Sequence, residues 1–346
     1  VEMECFINPN HNPNQIISNK IAAFDLDGTL IKTKSGRRFP KDKDDWVIIN
    51  ETIKTKLKSL NNNRYTIIVF TNQKNLEKRM KITDFKEKCM NIQKELDIPI
   101  IFYISFKNDY MRKPFPGMFE YHNKQFIAPV SLSLSFYVGD AWSKTECFSD
   151  SDLCFAKNCK IPFYKAREFF IDDNIKIYDK VAPSLSIDKN FVSNQIKLGT
   201  FISDKKYLFI VGAPASGKTT FCEKYLPDYM RLSKDDYNTP AKYRNIIQEN
   251  LDNKIVFDNT NSTETSRAKI LSYLVETENI GYIVRNIPKK EAFYLNQYRH
   301  FITRGKVKLL PNVAIYAHYK RLVLPTGPNV FTINSSWISG LKEFYC

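Results

Sequence analysis

Short, almost continuously apolar runs, each closed by a polar residue, alternate along this chain with stretches whose apolar residues recur every three or four positions. The runs are KIAAFDLDGTL (20–30), YTIIVFTN (65–72), IPIIFYIS (98–105) and LSFYVGD (134–140). Runs of this kind predict strands buried on both faces of a parallel sheet. Residues 51–60 and 83–96 have helical spacing and predict amphipathic helices between those strands. A second block opens with KYLFIVGAPASGKTT (206–220), an apolar run that enters a glycine-rich turn and then a helix-compatible segment. Between the blocks, APSLSIDKNFVSNQIKLGT (182–200) is polar and without clear periodicity, which predicts a linker. The whole pattern predicts an α/β chain of two domains with parallel sheets. Ligands of such sheets bind at the carboxyl ends of strands, so the polar residues closing each run are the candidates for chemistry.

Length agrees with this division, since 346 residues exceed one ordinary core. No apolar run approaches the roughly 20 residues needed to cross a bilayer. The opening VEMECFINPNHNPNQ carries acids where a signal peptide needs an apolar core. Both features predict an intracellular protein with no membrane partner. Seven cysteines, an odd number at irregular spacings, exclude a secreted disulfide framework and predict reduced thiols. Charge changes the picture more: 52 basic against 37 acidic residues give a net charge of +15. A field of that sign attracts polyanions, so nucleic acid leads as partner, ahead of an anionic membrane surface.

The first candidate site follows the first run. Asp25 and Asp27 flank Leu26, and in extended chain their side chains point the same way. One carboxylate can attack phosphorus, and the other can protonate the departing alkoxide and later deprotonate water. Carboxylates beside a phosphate dianion call for a hard cation, for which Mg²⁺ is expected, held by Asp25, Asp27 and Asp140. Thr71 supplies a hydroxyl for a phosphate oxygen, and Lys113, in MRKPFPG, a cation for nucleophile and phosphoryl group. Asp150 and Asp152, in FSDSD, are equal candidates for further metal roles or for a solvated turn.

The second candidate site is a phosphate-binding loop. Gly212, Ala213, Pro214, Ala215, Ser216, Gly217, Lys218 and Thr219 match G-x-x-x-x-G-K-[ST] throughout, and Thr220 follows in the same nucleotide-binding stretch. Its backbone N–H groups would wrap the phosphates of ATP, with Lys218 on the β- and γ-oxygens and the Thr219 hydroxyl on Mg²⁺. A kinase also needs a base, for which RLSKDDY offers Asp235 and Asp236. Asp258 closes another apolar run, where it could support the metal shell, and Arg299 and Arg304 are candidate lid arginines.

The first set, in this order, resembles the haloacid dehalogenase phosphatase superfamily. Both sets together resemble the polynucleotide kinase 3′-phosphatase family. The likeness runs through FDLDGTLIKTKSGRRFP, DDW, TNQ, MRKPFPGMF and YVGDA, then VGAPASGKTTF, LSKDD, FDNTNSTETSRAK, LNQYR and IYAHYKR. It implies a haloacid dehalogenase-like Rossmannoid phosphatase over 1–183, a linker over 184–200 and a P-loop NTPase-type kinase over 201–346. It further implies an Asp25 nucleophile, an Asp27 acid–base, an Asp235 base for a 5′-hydroxyl and Arg299 as the better lid arginine, while Arg267 matches an arginine of undefined role. The implied activity is removal of 3′-phosphates and ATP-dependent phosphorylation of 5′-hydroxyls at DNA ends, by a monomer. Its place would be the nucleus of a cellular eukaryote or the cytoplasm if the protein is viral. The likeness has departures: no phosphopeptide-binding domain is expected before Asp25, and Leu153 stands where a basic residue is usual.

Exposed-type basic clusters, Lys32, Lys34, Arg37 and Arg38 in one and Lys78, Arg79 and Lys81 in the other, flank the first site and suit a DNA backbone. Phe39, Trp46 and Tyr110 are candidates for stacking on unpaired bases. Three other readings share these residues: an RNA end-healing enzyme, a small-molecule kinase–phosphatase fusion, and a DNA-binding scaffold without catalysis.

Overall fold

The computed structural model describes residues 4–7, 18–125, 129–172, 175–179, 191–275, 278–333 and 343–346. The chain divides into two compact units, 1–183 with 343–346, and 184–342. No helix among the described residues is long and apolar enough to cross a membrane.

In the first unit, the predicted runs become strands by burying alternate side chains on opposite faces. The strands are β1 (Glu4–Ile7), β2 (Ile21–Phe24), β3 (Ile31–Lys32), β4 (Val47–Ile48), β5 (Thr66–Asn72), β6 (Ile101–Ser105), β7 (Phe136–Gly139) and β8 (Phe163–Lys165). The main sheet runs β1-β6-β5-β2-β7-β8, parallel except for β1 against β6. Ala22, Phe24, Val69 and Phe102 face one core, while Ile21, Ala23, Ile68 and Tyr103 face the other. That double burial removes the polar alternation of a half-exposed strand and explains why the runs are continuously apolar.

Helices cover both faces. α1 (Glu51–Asn62) starts at Asn50, whose side chain accepts from the Thr52 N–H, and buries Ile53 and Leu57 one turn apart. α2 (Ile82–Leu96) buries Phe85, Cys89, Ile92 and Leu96 on the same side of the sheet. On the other side lie α3 (Gly117–Gln125) and α4 (Ser151–Cys159), which contribute Met118, Phe119, Leu153, Phe155 and Cys159. Leu153 therefore fills a core position at which a basic side chain would be buried. The short α5 (Ala166–Phe170) brings Phe170 into a stack with Phe24, ring centroids 5.9 Å apart. The final residues, expected with the second domain, pack here instead. Phe344 stacks on Phe115 at 5.7 Å, and Tyr345 exchanges backbone hydrogen bonds with the Asn158 amide.

The second unit is another parallel sheet. It comprises α6 (Phe191–Ile202), β9 (Tyr207–Gly212), α7 (Lys218–Tyr225), β10 (Met230–Leu232), α8 (Pro240–Glu249), β11 (Ile255–Asp258), α9 (Glu264–Leu271), β12 (Ile280–Arg285), α10 (Lys289–Ile302), α11 (Asn312–Arg321) and β13 (Val330–Ile333). The order is β10-β11-β9-β12-β13. The expected linker needs correcting. Residues 184–190 lie outside the described ones, and α6 makes much of the rest helical. Leu198 is buried against Leu208, Phe221 and Ile283, so tertiary packing supplies what the segment's weak periodicity did not.

Candidate active sites

In the first unit, three neighbouring strands deliver their polar ends to one place. Asp25 follows β2, Thr71 lies near the end of β5, and Asp140 follows β7, with β2 paired to both. The Asp25 N–H donates to the Val138 carbonyl at 2.9 Å, which locks the first carboxylate beside the third strand. Gly28 turns the chain away at φ +86°, and a Cβ there would come within 2.3 Å of an Asp140 carboxylate oxygen. The glycine of DGT is thus required by both backbone and space.

Lys113 arrives from the loop after β6. The Asn72 side chain holds its backbone from both sides, accepting from the Lys113 N–H at 3.0 Å and donating to its carbonyl at 3.1 Å. The ammonium then donates to Asp25 Oδ1 at 2.5 Å, Asp152 Oδ1 at 2.7 Å and the Tyr137 hydroxyl at 2.8 Å. Asp152 is fully engaged, because Tyr137 also donates to its Oδ1 and the Ala141 N–H to its Oδ2. Asp150, its equal in the sequence reading, pairs with Lys144 at 3.2 Å instead.

Asp25, Asp140 and Asp152 offer carboxylate oxygens within 4.8 Å of one another. The Asp27 carboxylate, expected among the metal ligands, is not in this group. It accepts from Gln73 Nε2 at 2.6 Å, and Gln73 also donates to Thr71 Oγ1 at 2.9 Å. Burial drives the Asp25 carboxyl well above the usual range, against the pull of Lys113 and with help from Asp152 and Asp140. Asp140 is pushed up to about 6, first by desolvation on its inner side and then by Asp152. Burial works against the Lys113 ammonium, but Asp152 and Asp25 outweigh it and raise its pKa. Three clustered acids facing one lysine form an all-oxygen donor set short of positive charge. A divalent hard cation fits that set.

Beside this pocket, Asp45 shapes the basic loop. Its carboxylate accepts from the Ser35 N–H, the Ser35 hydroxyl and the Lys41 N–H, at 2.8, 2.7 and 2.9 Å. The loop carries Arg38 and Phe39 outward. Arg79 lies over the Phe39 ring at 4.3 Å, and Arg38 over the Phe148 ring at 5.0 Å, Phe148 itself being 85% exposed. The two predicted basic clusters therefore meet in an aromatic–guanidinium ladder. Trp46 instead packs against the core, and Tyr110 is buried with its hydroxyl on Glu120 at 3.0 Å, so neither is an open stacking platform.

In the second unit the glycine-rich loop joins β9 to α7, with Ala215 and Gly217 at φ +64° and +83°. Lys218 bends back over the loop and donates to the Ala213 carbonyl at 2.8 Å. Burial lowers its pKa to about 8, against Asp258 and Asp235, while the positive charge of Arg299 lowers it further. The Ser216 hydroxyl is buried and has no hydrogen-bond partner among the described residues. Buried hydroxyls are normally paired, and a phosphate oxygen is an acceptor that would fit this one.

The neighbouring strands complete the site. Asp258, ending β11, accepts from Thr219 Oγ1 at 2.7 Å and pairs with Arg231 at 3.0 Å. Asp235 stands exposed after β10, whereas Asp236 pairs with Arg231 at 3.1 Å. Arg304 is exposed in the left-handed turn beyond α10, so the arginine whose charge reaches Lys218 is Arg299. Thr220 is likewise exposed on α7. Arg267 serves as a tie, its guanidinium donating to the Asn261 and Val323 carbonyls at 2.9 and 2.8 Å. Sequence reasoning missed Tyr137, Gln73 and the buried Arg285, which lies 3.5 Å from the Ser216 carbonyl. Of these Gln73 stood in the motif string TNQ and Tyr137 opened YVGDA, while Arg285 stood in none.

One chain thus carries two sites, a cluster of carboxylates around a lysine in the first unit and a glycine-rich phosphate-binding loop in the second, the parts of a phosphatase joined to a kinase. The family model for polynucleotide kinase 3 phosphatase matches residues 20–170. A bifunctional polynucleotide phosphatase/kinase of Schizosaccharomyces pombe is 32% identical over 323 residues, covering 91% of this chain and 78% of that protein. This chain belongs to the family of bifunctional polynucleotide phosphatase/kinases. An uncharacterized 20.8 kDa protein of Autographa californica nuclear polyhedrosis virus is 44% identical over 157 residues, 43% of this chain and 85% of that protein. A polynucleotide 3′-phosphatase of Arabidopsis thaliana is 33% identical over 171 residues, 44% of this chain and 24% of that protein.

Proposed function

We propose that this enzyme removes 3′-phosphates from DNA ends in its first unit and phosphorylates 5′-hydroxyls from ATP in its second. The observation that carries the reading is the alignment of Thr71, Asp25 and Asp140 at three adjacent strand ends around Lys113. A carboxylate nucleophile, a hydroxyl and a lysine converging on one point suit a phosphoryl group and little else.

In the first site, an Asp25 oxygen attacks phosphorus while the bond to the 3′-oxygen breaks, and Asp27 gives that oxygen its proton. Asp27 then takes a proton from water, whose oxygen attacks the aspartyl-phosphate and releases inorganic phosphate with Asp25 regenerated. Lys113 and the Thr71 hydroxyl hold the phosphoryl oxygens, and Asp152 holds Lys113. Asp25 and Asp140 would hold Mg²⁺, which offsets the charge of two carboxylates beside a phosphate. In the second site, Asp235 takes the proton of the 5′-hydroxyl, whose oxygen attacks the γ-phosphorus as ADP departs. Lys218 and Arg299 stabilise the charge in transit, and the Ser216 hydroxyl donates to a phosphate oxygen.

Nucleic acid as substrate is supported by the +15 charge and by the Phe39–Arg79 and Arg38–Phe148 stacks beside the first site. The test is product analysis on a nicked duplex with 3′-phosphate and 5′-hydroxyl ends, with ATP and Mg²⁺. DNA and RNA versions run in parallel, beside small phosphomonoesters. Loss of the 3′-phosphate and gain of a 5′-phosphate on DNA is expected; turnover confined to small phosphomonoesters or to RNA would contradict it.

A further inference from the structure

We propose that Lys88 is a positioning residue for Asp27, an inference that rests on the phosphatase reading above. α2 turns a stripe of Phe85, Cys89, Ile92 and Leu96 to the core, and Lys88 stands within that stripe with its side chain 2% exposed. An ammonium in apolar surroundings is costly unless a carboxylate answers it. The answering group is Asp27, whose Oδ1 lies 3.8 Å from Lys88 Nζ. Among the described residues neither partner forms another ion pair.

The second oxygen of the same carboxylate is held from a different element. Gln73, after β5, donates to Oδ2 at 2.6 Å and is itself anchored on Thr71 at 2.9 Å. Asp27 needs such holding, because its side chain is 51% exposed and follows a strand that has already ended. Left alone, an aspartate there would divide its time among rotamers. The Lys88 charge facing one oxygen and the Gln73 hydrogen bond on the other together restrict how the carboxyl group can turn. The site thus assigns each working carboxylate its own lysine: Lys113 to Asp25, Lys88 to Asp27. An acid–base group loses much of its effect when displaced by a fraction of its hydrogen-bond length, so the orientation has kinetic weight.

A 3′-alkoxide leaves only with a proton from Asp27, whereas the phenolate of p-nitrophenyl phosphate leaves with little help. The full chain carrying K88M is assayed on a 3′-phosphorylated oligonucleotide and on p-nitrophenyl phosphate. The two rates compared are single-turnover releases of the alcohol or phenol, which precede Asp27's shared action on water. Both come from one sample, so any unfolded fraction cancels in their ratio. The oligonucleotide kcat should fall about tenfold with KM held within about twofold, and the ratio of oligonucleotide to aryl rates should fall at least about fivefold. In a D27N background, K88M should change the oligonucleotide rate by less than about twofold, because its partner is already gone. If K88M does not fold, K88Q is read against the same expectations. Equal loss on both substrates, no loss on either, or losses that multiply in the D27N background would overturn the inference. Wild-type oligonucleotide turnover by D27N alone would instead sink the role given to Asp27.

Discussion

The Lys113 ammonium lies 2.7 Å from Asp152 Oδ1, both side chains 2% exposed, so a buried ion pair stands immediately behind the Asp25 carboxylate. Removing one member of such a pair leaves the other charge uncompensated. D152A should therefore destabilise the first unit by about 3–5 kcal/mol and lower phosphatase turnover. D150A, which loses a contact with the exposed Lys144 and a weak one with the Cys154 thiol, should cost less than about 1 kcal/mol. Urea unfolding followed through the phosphatase transition separates the two; equal effects would refute the assignment.

Lys218 gives a pH prediction in the kinase site. Its folded pKa, lowered to about 8 chiefly by burial, lies below that of an unfolded lysine. The depressed value means that the charged form opposes folding at neutral pH, and that this penalty disappears as pH rises through about 8 toward the unfolded value. A bound phosphate favours the charged form and raises the pKa again. ATP binding should therefore take up a proton and weaken as pH climbs from 7 to 9, read by calorimetry in buffers of different ionisation enthalpy. Affinity that is flat over this range would show that Lys218 keeps its proton without nucleotide.

The ladder of Phe39, Arg79, Arg38 and Phe148 predicts a substrate-specific defect. Base stacking on an aromatic ring contributes about 1–3 kcal/mol per base. F39A with F148A should raise KM for a 3′-phosphorylated oligonucleotide roughly five- to hundredfold and leave p-nitrophenyl phosphate kinetics unchanged. A parallel rise for both substrates would mean that the rings support the fold rather than the strand.

The acidic cluster predicts metal-linked stability. If Asp25 and Asp140 hold Mg²⁺, saturating the site at a hundred times Kd should stabilise the first unit by about 2.7 kcal/mol. D140N should abolish that gain while the protein remains folded. A shift of equal size in D140N would move the ion elsewhere.

Much of this was legible in the sequence because the chemistry follows strand ends. Asp25, Thr71, Asp140 and Asp258 each stand at the end of a run whose continuous apolarity marks a doubly buried strand, and the spacing of the glycine-rich loop named Lys218. Asp152 was not separable from Asp150, because their difference is the direction of one helical turn: Asp152 points at Lys113 and Asp150 at Lys144. Tyr137 was hidden inside a strand, where its ring reads as core and only its hydroxyl reaches the site. The helix over residues 191–202 was missed since its stability comes from Leu198 packing on β9, not from local pattern. Lys88 went unread, because a cation on an apolar stripe acquires meaning only once Asp27 stands opposite.

The central claim is that two independent pockets treat the two termini of one broken strand. The direct measurement follows both ends of a nicked duplex carrying 3′-phosphate and 5′-hydroxyl groups, with D25N and K218M in the full chain. D25N should leave the 3′-phosphate in place while the 5′-end is phosphorylated at near wild-type rate, and K218M should do the reverse. Loss of both reactions in either folded variant would contradict the account.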